Sequence, residues 1–130
     1  MIGIETNVLV RYLTHDDPAQ TAAAKRAMNS LSLDSLGFIS LIVIVELVWV
    51  LAISYRHQKR KIEEVLENLL RKELTIERAE VVSQAFRAFR AGRADFADYL
   101  IERCGHSAGC RFTITFDHNA TTLAGMRLLR

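Results

Sequence analysis

The sequence is poor in the residues that interrupt regular structure. Its 130 residues include one proline and six glycines, which excludes collagen-like and low-complexity chains and argues against a loop-rich β-sandwich. Two cysteines, Cys104 and Cys110, are too few for a disulfide framework. Long hydrophobic runs are also missing. The longest, Leu41 to Ile53, has 13 residues and carries Glu46, whereas a membrane span needs about 20. The apolar opening from Met1 to Leu13 is interrupted by Glu5, has no basic lead and is followed by no small-residue cleavage site, so no secretory signal is expected. These absences predict a cytoplasmic protein without a membrane segment, folded as a single domain over residues 1–130.

A dominant charge is lacking too. Seventeen basic residues face fifteen acidic ones, for a net charge of +2. The balance hides two asymmetries. Thirteen of the basic residues are Arg, the side chain suited to bidentate contacts with phosphate or carboxylate. Residues 1–55 hold 3 basic and 5 acidic side chains, against 14 and 10 in residues 56–130. A basic second half points to an anionic partner.

What is present is alternation of short apolar runs with helical periodicity. Ile2-Gly3-Ile4 suits a buried parallel strand. Thr6 reads as the cap of a helix reaching Leu13, and Asp17 with Pro18 opens a second helix over Ala19–Leu33. Gly37-Phe38-Ile39 is a second strand, after which Ser40 caps a buried helix over Leu41–Tyr55. Further helices fit Lys61–Arg71, Ile76–Arg90 and Asp95–His106. Phe112–Phe116 alternates as a third strand, His118–Ala124 is a short helix and Met126–Leu129 an edge strand. Tyr12, Leu13, Trp49 and Phe86 are expected in the core, where interface stripes look the same. Short strands separated by helices predict an α/β fold with a parallel sheet.

Five acids occupy positions where solvated surface charge is uncommon. Glu5 ends the first strand, Glu46 is embedded in the longest apolar run, Asp95 and Asp98 share a face at a helix start, and Asp117 ends the third strand. Parallel sheets build sites at the carboxyl ends of their strands, so Glu5 and Asp117 are expected on one edge, which Glu46, Asp95 and Asp98 can also face. Clustered carboxylates repel unless a cation sits among them. Mg²⁺ or Mn²⁺ suits such oxygen ligands and can activate water against a phosphodiester. Each acid also has a plainer reading. Asp95 or Asp117 can cap its helix, Glu46 can pair with a buried Arg, and Glu5 can be a surface acid.

At these residues the chain resembles PIN-domain ribonucleases of the VapC toxin type. The resemblance is carried, in family order, by Met1-Ile-Gly-Ile-Glu-Thr-Asn-Val-Leu-Val-Arg-Tyr-Leu13, Asp16-Asp-Pro18, Ile44-Val-Glu-Leu-Val-Trp-Val-Leu51, Ala94-Asp-Phe-Ala-Asp-Tyr-Leu-Ile101, Gly109-Cys110 and Thr115-Phe-Asp117. It implies a three-layer α/β/α sandwich with a four- or five-stranded parallel sheet. It implies Mg²⁺- or Mn²⁺-dependent endonucleolytic cleavage of RNA, with tRNA and rRNA among the possible substrates. A homodimer and a cognate antitoxin protein are implied as partners. Glu5, Glu46, Asp98 and Asp117 match the four family acids, Asp95 an additional one, and Thr6 and Thr115 hydroxyl positions near the metal. The family has Asp where this chain has Glu5. The extra methylene moves the carboxylate by about 1.5 Å, which implies a weakened or inactive toxin as the alternative.

Other candidates are less specific. Arg11 lies near the site in sequence and can contact a phosphate or an antitoxin. Arg87, Arg90 and Arg93, and the Arg56/Lys59/Arg60/Lys61 cluster, can bind RNA phosphates or form solvated helix faces. Cys104, His106 and Cys110 can ligate zinc, although the spacing matches no standard finger; the plainer expectation is two small buried thiols. His15 and His118 read as surface residues. From other functional classes, a non-catalytic antitoxin-binding scaffold and a metal-dependent phosphatase use the same residues.

Overall fold

Short strands and amphipathic helices alternate along the whole chain, as the pattern of apolar residues requires. A computed structural model describes all residues, Met1–Arg130, and these divide into two units, Met1–Glu77 and Arg78–Arg130.

The first unit runs β1 (Ile2–Gly3), α1 (Thr6–Leu13), α2 (Pro18–Asn29), β2 (Gly37–Ile39), α3 (Leu41–Trp49), α4 (Lys59–Leu69) and β3 (Leu74–Ile76). The strands form a parallel sheet in the order β1-β2-β3, with Ile2 opposite Gly37 and Ile39 opposite Ile76. Parallel pairing follows from the helical crossovers, which return the chain to the same end of the sheet. Leu9, Ile39, Ile44, Leu47 and Leu51 are fully buried. On α4, Ile62, Val65, Leu66 and Leu69 repeat at helical spacing and are buried as one face.

Two departures from the sequence reading stand out here. The strand β3 occupies residues where a loop and the start of a helix at Ile76 are expected. Three residues are too few for strand alternation to register, so the buried pair Leu74 and Ile76 reads as helix approach. The helix expected over Leu41–Tyr55 is α-helical only to Trp49 and continues as a π-helical turn, Val50–Ser54. The Tyr55 amide donates to the Val50 carbonyl five residues back, at 3.2 Å.

The second unit contains α5 (Ala79–Ala91), α6 (Phe96–Ser107), β4 (Ile114–Thr115), α7 (His118–Leu123) and β5 (Arg127–Leu128). Phe89 and Phe96 meet edge to face with centroids 5.8 Å apart. Gly92 lets α5 end against α6, since a Cβ there would fall 1.8 Å from the Tyr99 hydroxyl. β4 and β5 pair in parallel across α7, and Gly125 at φ +74 makes the return. The five strands thus pair in parallel, each within its own unit. In place of one four- or five-stranded sheet, they pair as a three-stranded sheet in the first unit and a two-stranded ladder in the second.

Two core expectations fail. Trp49 is 60% exposed and lies in a row with exposed Ile42, Val45 and Ile53. A helix that is apolar all round does not reveal which stripe faces inward. Cys110 is exposed and Cys104 only half-buried, because both lie at the open end of α6 and its following turn. No helix is long and apolar enough to cross a membrane.

Candidate functional site

In the first unit, α1 starts directly after β1, and Glu5 rather than Thr6 is its cap. The Glu5 Oε2 accepts from the Asn7 amide at 2.8 Å. Thr6 is the first helical residue and is buried; its hydroxyl donates to Glu46 Oε1 at 2.7 Å. That bond ties the acid of α3 to the start of α1. Glu46 itself is exposed and pairs with no arginine. The buried ion pair considered for it is therefore absent, because position 46 lies beside the exposed row of α3.

Glu77, which the sequence reading passed over, follows β3 as Glu5 follows β1. Its Oε1 accepts from the Leu41 amide at 2.7 Å, closing the start of α3 together with Ser40. The signal available was an acid directly after a short β-branched run, at a strand end that had not been recognised.

Arg11 is held by its own neighbours. Its Nη1 lies 3.1 Å from Asp16 Oδ1 and 3.3 Å from the Tyr55 hydroxyl, and its Nε donates to Gln20 Oε1 at 2.7 Å. The Tyr55 hydroxyl donates to Asp16 Oδ2 at 2.7 Å and Thr14 to Oδ1 at 3.0 Å. The Tyr55 hydrogen bond, helped by Thr14 and the Arg11 charge, holds the Asp16 carboxyl below the ordinary carboxylate range.

In the second unit, Asp95 occupies the cap position of α6 but its side chain makes no capping bond. The cap reading does not account for its carboxylate. Asp98 follows in the first turn, half-buried. Burial pushes its carboxyl above the ordinary value, and the charges of Asp95 and Asp117 push it further. Asp117 caps α7, its Oδ1 accepting from the Asn119 amide at 2.8 Å, while its own amide donates to Thr115 Oγ1 at 3.0 Å. The structure thus brings Asp95, Asp98 and Asp117 within electrostatic reach of one another in one unit, and Thr6 and Glu46 into contact in the other.

In neither unit do three or more carboxylate, imidazole or thiol groups close up to coordination distance. The chemistry of the set nonetheless fits a hard divalent cation. All donors are oxygens, and a carboxyl raised by burial and then by like charges is one that a nearby cation would return to its ionised form.

A family model for the PIN domain matches residues 2–125 of this chain. Among solved structures, the crystal structure of Mycobacterium tuberculosis VapC20, a sarcin-ricin loop cleaving toxin, is similar over 94% of both chains, at 18% sequence identity and a TM-score of 0.48. No curated protein matches the sequence.

Proposed function

Because this chain belongs to the PIN domain family, we propose that it is a metal-dependent endoribonuclease, the toxin of a toxin–antitoxin pair, acting on RNA phosphodiesters in the cytoplasm. The observation that carries the reading is the Asp95, Asp98 and Asp117 set, in which Asp98 is raised first by burial and then by the charges of the other two. Surface acids placed for solubility do not gather in this way. The carboxylates proposed to serve the reaction are Glu5 and Glu46 in the first unit and Asp95, Asp98 and Asp117 in the second.

Asp95, Asp98 and Asp117 would hold Mg²⁺ or Mn²⁺, which when bound would supply positive charge to the phosphate and lower the pKa of an attacking water. The chain's own contribution is orientation. Thr6 fixes one oxygen of Glu46 and leaves the other available. The Asn7 amide does the same for Glu5. Thr115 accepts from the Asp117 amide and so sets the backbone from which that carboxylate projects. RNA is the proposed substrate in single-stranded or looped form, where bases and phosphates are accessible. The cognate antitoxin and a second copy of the chain are the proposed protein partners. The exposed row Ile42, Val45, Trp49 and Ile53 supports self-association, since a contiguous exposed apolar stripe marks a protein contact.

A second reading rests on Glu5. Its carboxylate is already bonded at the helix start and sits one methylene further out than the family's Asp. A displacement of about 1 Å can cost 10²-fold in rate, which would leave a protein that binds its antitoxin without cutting RNA. An RNA-cleavage assay with Mn²⁺, Mg²⁺ and EDTA separates the two. Cleavage by the natural chain that disappears in Asp98→Asn supports the nuclease. Cleavage by Glu5→Asp alone supports the scaffold. Cleavage by neither, with folding intact, overturns the nuclease and, with it, Glu5 as the cause of a lost activity.

A further inference from the structure

The segment after the π-helical turn concentrates positive charge. Arg56, Lys59, Arg60 and Lys61 fall within six residues that include no acid. Arg56, His57, Gln58, Arg60, Lys61 and Glu64 line an open surface cavity of about 380 Å³. Glu64 is 3.9 Å from Lys61; Arg56 and Arg60 are exposed and form no ion pair. Two guanidinium groups with no carboxylate partner therefore face one hollow.

The base of this hollow is fixed. The His57 ring, half-buried, stacks on Tyr55 with centroids 6.0 Å apart and planes 17° apart. Tyr55 in turn bonds to Asp16 at 2.7 Å and Arg11 at 3.3 Å. The His57 amide donates to the Leu51 carbonyl at 2.9 Å. Arg56 adopts φ +52, a conformation that Gly or Asn takes at lower cost. The turn geometry alone does not call for an arginine there.

We propose that this cavity, which neither Glu5 nor Glu46 lines, is an anchor for the phosphate backbone of single-stranded RNA. The proposal rests on the ribonuclease reading above and adds to it a substrate-binding surface. Arginine forks suit phosphate oxygens, and contacts of this kind set register without reading sequence. Ten residues of largely helical chain separate Glu46 from Arg56, about 15 Å along the helix axis. The anchor therefore grips the strand a few nucleotides away from any phosphate held near Glu46.

The test uses the full chain carrying Asp98→Asn, so that RNA is not consumed, and a labelled single-stranded oligoribonucleotide over a range of salt. Arg56→Ala/Arg60→Ala is expected to weaken binding and to flatten the slope of log K against log salt by about 1.4, as for two lost phosphate contacts. Arg56→Lys/Arg60→Lys is expected to keep the slope. In the cleaving protein the double alanine variant is expected to raise KM and leave kcat unchanged. Unchanged affinity and slope in the double alanine variant, with RNA still bound, would overturn the anchor alone. Loss of poly-glutamate binding with RNA binding intact would overturn it in favour of an acidic protein partner. No RNA binding at any salt by the Asp98→Asn chain would overturn the ribonuclease reading and the anchor with it.

Discussion

Asp98 is the residue on which the proposed chemistry and the stability of this protein meet. Its carboxyl is raised by burial and by Asp95 and Asp117, so ionisation is easier in the unfolded chain than in the folded one. Its contribution to stability is therefore fully present below the unfolded carboxylate range and is lost as pH rises through the folded value. Asp98→Asn removes that penalty. The metal-free variant is expected to melt roughly 1–3 °C above the parent at neutral pH, a small effect because the group is only half-buried and solvent screens its charge, while losing cleavage. Thermal unfolding followed by circular dichroism at pH 7 and pH 4 checks it, with the gap closing at the lower pH. The sequence made these acids stand out by their positions, at strand ends and inside an apolar run. It did not show what each one touches. Glu46 was expected inside because its neighbours are apolar, yet it is exposed, held by a threonine 40 positions away in the chain. A linear pattern has no access to such a bond.

Among the elements, the helices and four of the five strands are legible in the sequence, and β3 is not. α1, α2, α5 and α6 carry apolar spacing that places them to within a few residues, and Asp17 caps α2 as its position before Pro18 indicates. β3 escaped because three residues give no period, and with it escaped Glu77. The π-helical turn after α3 has no sequence signature, since nothing in Val50–Ser54 forbids an ordinary α-turn. Close packing of α5 against α6 at Gly92 is likewise a property of contact. Gly92→Ala drives a methyl into the Tyr99 hydroxyl, whose oxygen accepts from the Ala94 amide at 3.3 Å. The variant is expected to lose about 1–3 kcal/mol, read as a lower urea midpoint with an unchanged m-value. Restoration of the midpoint by Tyr99→Phe in the Gly92→Ala background would identify the hydroxyl as the clash.

For the whole molecule, the small net charge of +2 conceals a focal acidic set and a scattered arginine surplus. A divalent cation bound at the acids would make the working protein more positive than its formal charge. The apolar row on α3 belongs to the same scale. Trp49→Glu places a charge in its centre and is expected to yield a monomer by sedimentation velocity where the parent is a dimer; a parent that is monomeric at all concentrations would remove that assignment. The central claim is that the acids bind a divalent ion and cut RNA. Incubating one RNA with the natural chain and with Asp98→Asn, each in Mn²⁺ and in EDTA, tests it most directly. The account predicts cleavage by the first protein in Mn²⁺ only and none by the second. Cleavage that survives EDTA, or that persists without the Asp98 carboxylate, would contradict it.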